Sequence, residues 1–162
     1  MLILEMAFLC ISCYNKYKKR EHYGRRKLMK KTEVVAAIIM YEDKILCMQR
    51  NKGKYEYMSY KYEFPGGKIE PGETRAQALQ RELIEEMALE VDIREEDYYM
   101  SVEHMYPDFA LTMHSFICRV ESQTFVRKEH VDHKWLTRKE LMSLDWAPAD
   151  IPIVKRLQGD CE

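Results

Sequence analysis

Glu82, Glu85 and Glu86 stand at i, i+3 and i+4. On a helix of 3.6 residues per turn that spacing sets all three carboxylates within about 100° of one another. Like charges so placed repel by roughly 0.2–0.5 kcal/mol per pair, so helix stability does not account for them. Arg81 reaches Glu85 at i, i+4 and answers one charge. A hard divalent cation that prefers oxygen ligands, Mg²⁺ above all, answers the whole cluster. The competing reading of the same residues is a solvated acidic helix face.

The elements around the cluster are legible from pattern. Thr74 and Gln77 form a T-x-x-Q capping box, and Leu79, Leu83 and Met87 then recur at i, i+4, i+8, which predicts an amphipathic helix ending near Met87 or Ala88. Upstream, Val34–Tyr41 (VVAAIIMY) is a β-branched apolar run, Glu42-Asp43 turns the chain, and Lys44–Arg50 returns as the second arm of a hairpin. Residues 51–62 are polar and aperiodic and read as a loop, closed by the sharp break at Pro65-Gly66-Gly67. Downstream, Leu89–Ile93 alternates as a short strand. Tyr98–Tyr106 and Ala110–Val120 form a hairpin across Pro107-Asp108, Lys134–Leu136 adds a strand, and Thr137–Ser143 and Asp150–Leu157 read as short helices. Strands, helix, strands, helix in that order predicts an α+β fold, an α/β/α sandwich on a mixed sheet.

Spacing beyond the helix decides between the two readings of the carboxylates. Five residues separate Gly67 from Glu73, seven separate Glu73 from Arg81, and Arg81-Glu82-Leu83-Ile84-Glu85-Glu86 runs unbroken. This resembles the signature of the Nudix hydrolases, matched at every fixed position except Ala88, where the family has Gly. A non-Gly residue in a left-handed helix exit costs on the order of 1 kcal/mol. The likeness runs from about Met29 to Leu157 and is nearest the MutT-like branch. Its further marks are Lys30-Lys31, the Glu63–Glu70 stretch, Tyr106-Pro107-Asp108, Trp135 and Ala147–Pro152.

The resemblance implies a Nudix fold and Mg²⁺-dependent hydrolysis of nucleoside triphosphates to monophosphate and pyrophosphate, with Mn²⁺ as a substitute ion. It implies metal coordination by Glu82, Glu85 and Glu86 with the backbone carbonyl of Gly66, and Arg81 orienting the carboxylates. Glu82 or Glu85 could also take the proton of a metal-bound water. Glu129 is the candidate for a further catalytic carboxylate in the loop before Trp135, against the alternative of a surface glutamate. Arg50 matches a phosphate-contacting position. Glu63, Phe64, Pro65 and Gly66 fall in the substrate-binding stretch, with Phe64 either packing the core or lining the nucleoside pocket. Asp150 falls at the base-reading position. A carboxylate accepts hydrogen bonds only, so it suits an amino group such as cytosine N4 or guanine N2; the other role for Asp150 is a helix cap. Oxidised-guanine triphosphates and CTP-type nucleotides are the competing substrates. ADP-ribose hydrolysis and a catalytically silent nucleotide-binding module are the alternatives. His104 and His114 read as core or surface histidines.

Composition agrees with one domain. The chain has 162 residues, 46% hydrophobic and 33% charged, with a net charge of −1. The charge is uneven: residues 1–31 carry nine Lys/Arg against two Glu, leaving 17 basic and 25 acidic residues beyond. An acidic body argues against nucleic acid as the partner. Five scattered cysteines fit a reducing cytoplasm rather than a disulfide framework, and Cys10-x-x-Cys13 lacks a second ligand pair. The apolar stretch Leu2–Cys13 is shorter than the roughly 20 residues of a membrane span, and its basic residues follow it, the wrong order for a secretory signal. Residues 1–28 read as a membrane-surface anchor or, preferably, as an untranslated extension, because Arg25-Arg26 is compatible with an AGGAGG ribosome-binding sequence ahead of Met29. The hydrolase domain is expected at 29–162, and a monomer is adequate for it.

Overall fold

The computed structural model describes residues 29–159. The expectations for residues 1–28, including Cys10 and Cys13, lie outside them. Its sheet has six strands: β1 (Lys30–Tyr41), β2 (Lys44–Gln49), β3 (Tyr62–Glu63), β4 (Tyr98–Met105), β5 (Phe109–Arg119) and β6 (Asp132–Thr137). The order is β3-β2-β1-β5-β4, with β6 along β2. The helices are α1 (Arg75–Met87) and α2 (Ile151–Gly159), and a 3₁₀ segment spans Arg138–Ser143.

The unbroken apolar run of β1 needs burial on both faces, and it has it. Val35, Ala37 and Ile39 pack with Leu79, Leu83 and Met87 of α1. Ala36, Ile38 and Met40 pack on the opposite face with Ile153, Val154 and Leu157 of α2. The sheet is thus covered on both sides, the α/β/α sandwich that the element order predicts.

β1 and β2 form a hairpin only at its turn, where Met40 pairs with Ile45 and Tyr41 with Lys44. Beyond it the two strands part. β6 takes the whole of one edge of β2, from Lys44↔Thr137 to Gln49↔Asp132. On the other edge β3 pairs at Met48↔Glu63 and Gln49↔Tyr62. The chain then crosses to β1, where the amides of Ala37 and Val35 donate to the carbonyls of Pro65 and Gly67, each at 2.8 Å. The fork between β1 and β2 is therefore filled by the segment that leads into α1.

The helix starts and stops as its residues dictate. The Thr74 hydroxyl accepts from the Gln77 amide while the Gln77 side chain accepts from the Thr74 amide, and Leu79, Leu83 and Met87 are buried. Ala88 takes the left-handed conformation at φ 50°, ψ 34°, and its amide donates to Ile84 O at 3.0 Å, an αL cap built without glycine.

Leu89–Ile93 is not a strand. Its alternation buries Ile93, and the Ile93 carbonyl accepts from the Gln80 side chain at 3.3 Å. Thr137 ends β6 and caps the predicted short helix through Glu140, and that helix is of the 3₁₀ type over Arg138–Ser143. The 51–62 loop carries one 3₁₀ turn at Glu56–Met58 and gives its last residue to β3. Among the described residues no helix is long and apolar enough to cross a membrane.

Candidate functional site

Gly66 and Gly67 bring the chain against both β1 and α1. Gly66 has φ +150°, and a Cβ there would lie 2.1 Å from Val35 O. A Cβ on Gly67 would lie 2.3 Å from the carboxyl carbon of Glu82. The neighbouring backbone and the positive φ require glycine at 66, whereas at 67 the missing Cβ leaves room for the Glu82 carboxylate. Pro65 and Gly67 spend their carbonyls on β1, and that of Gly66 has no hydrogen-bond partner among the described residues.

Arg81 ties this segment to α1. Its Nε and Nη2 donate to the two carboxylate oxygens of Glu73 at 2.7 and 2.9 Å. Nη2 also donates to Lys68 O at 3.0 Å, and Nη1 serves Glu82 Oε1 at 2.9 Å and Glu85 Oε2 at 3.2 Å. The guanidinium, together with the Glu70 amide, holds the Glu73 carboxyl down to about 2. Glu82 and Glu85 thus lean on Arg81.

Glu86 turns the other way, into a cavity of about 450 Å³ that also includes Arg50, Glu63, Phe64, Gly66, Glu129, His130 and Asp150 in its lining. Its Oε2 is buried without a hydrogen-bond partner. Burial, reinforced by the charges of Glu63, Glu129 and Glu82 and opposed by His130, pushes its carboxyl up to about 7. Among the described residues no three His, Cys, Asp or Glu side chains converge as a ready-made metal cage. The donors that remain, the free oxygen of Glu86 and the carbonyl of Gly66, are hard oxygens of the kind a divalent cation takes.

The loop before β6 brings in two more residues. The amides of Val126 and Lys128 donate to Met87 O and Glu86 O at the end of α1, at 2.9 and 3.1 Å, and Val131 donates to Gln49 O at 3.0 Å. Between these anchors Glu129 lines the cavity with no ion-pair partner among the described residues. His130 Nε2 lies 3.1 Å from Glu63 Oε1 with its side chain 5% exposed, and its Nδ1 is buried and unpaired. The other oxygen of Glu63 accepts from Arg50 Nη1. Sequence reading missed His130; its signal was only adjacency to Glu129, since a lone histidine in a polar loop carries no periodic mark.

Asp150 is buried at 2% exposure. Its Oδ1 accepts from the Phe64 amide at 3.0 Å, so the side chain serves the cavity wall, while its backbone carbonyl accepts from Val154 in α2 at 3.1 Å. Burial, aided by Glu63 and opposed by the Phe64 amide and Arg50, raises its carboxyl well above the ordinary range. A carboxylate accepts hydrogen bonds only, whereas a carboxyl that holds its proton also donates one. Phe64 is buried with its ring 4.9 Å from Trp146, and it also lines the cavity. The Tyr106 hydroxyl accepts from the Ala149 amide at 3.2 Å and steadies the turn that carries Asp150.

Eleven residues were expected at the site. The structure brings Arg50, Glu63, Phe64, Gly66, Glu86, Glu129 and Asp150 to one cavity. Glu82, Glu85 and Arg81 stand beside it as one ion-paired group, and Pro65 contributes its carbonyl to β1. His114 is a satisfied buried histidine, 2.6 Å from both Glu33 Oε1 and Ser101 Oγ. His104 packs edge-on against Tyr106 at 4.4 Å.

The chain is similar to known proteins over most of its length. The chain is 36% identical over 127 residues to a CTP pyrophosphohydrolase of Escherichia coli K12, covering 78% of this chain and 91% of that protein. It is 32% identical over 131 residues to the 8-oxo-dGTP diphosphatase of the same organism, covering 80% and 98%. The solution structure of the E. coli ORF135 protein superposes with a TM-score of 0.69 at 34% identity, over 84% of this chain and 94% of that one. Nudix hydrolases act on phosphoanhydride bonds and generally use a divalent metal, usually Mg²⁺. With the NUDIX domain matched across residues 30–157, the chain belongs to the Nudix hydrolase family.

Proposed function

We propose that this protein hydrolyses nucleoside triphosphates to nucleoside monophosphate and pyrophosphate with Mg²⁺, clearing oxidised or modified nucleotides of the 8-oxo-dGTP or CTP/dCTP type in the cytoplasm as a monomer. The observation that carries this reading is the convergence of Arg50, the unpaired oxygen of Glu86 and the buried Asp150 on one cavity. A phosphate-binding cation, a metal-seeking carboxylate and a polar group suited to a base are what a nucleotide polyphosphate needs. The names of the two E. coli relatives support the same substrate class.

Glu86 and the Gly66 carbonyl would hold Mg²⁺, with Glu82 and Glu85 available beside them; Mn²⁺ is a substitute. When bound, the ion neutralises phosphoanhydride oxygens and acidifies water. Arg50 takes a phosphate oxygen. Arg81 keeps Glu82 and Glu85 aligned and spaced, and Gly67 leaves Glu82 the room it occupies. Glu82, Glu85 and Glu129 are the carboxylates that can take the proton of the attacking water. Of these Glu129 alone combines a place on the cavity wall with freedom from an ion pair.

The test is product analysis. Purified protein incubated with a nucleoside triphosphate and Mg²⁺ should release pyrophosphate and stop on addition of a chelator. Orthophosphate as the first product would overturn the reaction assignment.

A further inference from the structure

We propose that His130 is the positioning residue of the phosphate-binding arm: it engages one oxygen of Glu63, so that Arg50 meets Glu63 through the other alone and keeps its remaining donors for the polyphosphate. The proposal rests on the reading of Arg50 as the phosphate contact. Arg50 touches Glu63 through Nη1, and its Nε and Nη2 have no partner among the described residues. Arg81 is the contrast, with Nε, Nη1 and Nη2 all engaged. A lone guanidinium beside a lone carboxylate closes into a two-bond fork, the stronger geometry. His130 prevents that closure, because its Nε2 lies 3.1 Å from Glu63 Oε1.

The setting excludes a merely space-filling histidine. The ring is 5% exposed, yet it sits among Glu63, Glu86 and Glu129, not in either apolar core. Its loop is fixed at both sides, by Lys128 on Glu86 O and by Val131 on Gln49 O. The second anchor is the residue immediately before Arg50. One short segment therefore sets His130, and through Glu63 the arginine, at a fixed place relative to the carboxylate helix. Without His130, Glu63 Oε1 is released toward Arg50 and competes with the incoming phosphate.

The experiment is a double-mutant cycle on the full chain with Mg²⁺ present, reading the Kd of α,β-methylene dCTP by calorimetry and KM and kcat for dCTP. His130→Ala should weaken Kd and raise KM roughly tenfold, the scale of one lost charge-assisted contact, with kcat changed less than about threefold. His130→Gln, which keeps a donor for Glu63, should recover part of the loss and serves if the alanine variant misfolds. In an Arg50→Ala background, His130→Ala should have no further effect on Kd. A full tenfold loss in that background, or no loss in the wild-type background, overturns the proposal and leaves the reading of Arg50 standing. Unchanged Kd in Arg50→Ala itself removes that reading and the proposal with it.

Discussion

Glu86 should make the metal-free protein less stable, and replacing it with Gln should show by how much. Its carboxyl is pushed from 4.5 to about 7, chiefly by burial. In the unfolded chain the group titrates near 4.5. Below that pH both states hold the proton, and the buried site costs little. Between 4.5 and about 7 the unfolded chain releases its proton first, so stability falls as pH rises, and above about 7 the whole penalty is in place. At 1.36 kcal/mol per pH unit this is about 3 kcal/mol as an upper bound, since water retains some access to the group. At pH 5 the same relation leaves about 1 kcal/mol or less. Thermal melts of wild type and Glu86→Gln in chelator should therefore show the variant higher at pH 8, by roughly 5 °C if half the bound is realised. The gap should shrink at pH 5. Mg²⁺ should raise the melting temperature of the wild type at pH 8 and leave the variant unmoved, because the amide offers no anion to the ion. A variant that melts at or below wild type at pH 8, or a gap that does not change with pH, refutes the reasoning.

Four further outcomes follow from the same geometry. Ala88→Gly should stabilise the protein by about 0.5–1 kcal/mol in urea denaturation, because Ala88 holds a left-handed φ of 50°; an unchanged midpoint would show the exit turn to be unstrained. Gly67→Ala should leave the fold intact and lower Mg²⁺-dependent turnover at least about a hundredfold, since its Cβ strikes the movable Glu82 carboxylate; near-normal turnover would discount Glu82. Asp150 is raised well above the ordinary carboxylate range. As it loses its donor the kcat/KM ratio of dCTP over dTTP should increase with pH, reaching about tenfold, and should stay flat in Asp150→Asn. A flat wild-type ratio would discard Asp150 as the reader. Protein begun at Met29 should match the full chain in melting temperature and turnover; a loss of several degrees would give residues 1–28 a role in the domain.

Much of the site is local and was therefore readable. The cap at Thr74, the apolar stripe of α1 and the grouping of Glu82, Glu85 and Glu86 follow from helical periodicity, which needs no knowledge of the rest of the chain. The burial of β1 on both faces follows from its uninterrupted apolar residues. What periodicity could not supply is the partition of the carboxylates. Arg81 draws Glu82 and Glu85 to itself because Glu73 and Lys68 have already fixed its guanidinium, and Glu86 is left to face the cavity. Nor could it place His130 against Glu63, 67 positions away, or Asp150 against Phe64, 86 positions away. Those contacts exist because β1 and β2 part beyond their turn, β6 takes the edge of β2, and the chain at Pro65-Gly66-Gly67 fills the fork. Strand alternation cannot reveal such a choice: it records which face of a residue is buried, whereas the partner on each edge is set by competition among all the edges in the fold. For the same reason Leu89–Ile93 alternates like a strand and is not one. Residue type and spacing determined the chemistry this protein can perform; the long-range packing of the sheet decided which carboxylate is left unpaired in the cavity and which residues surround it.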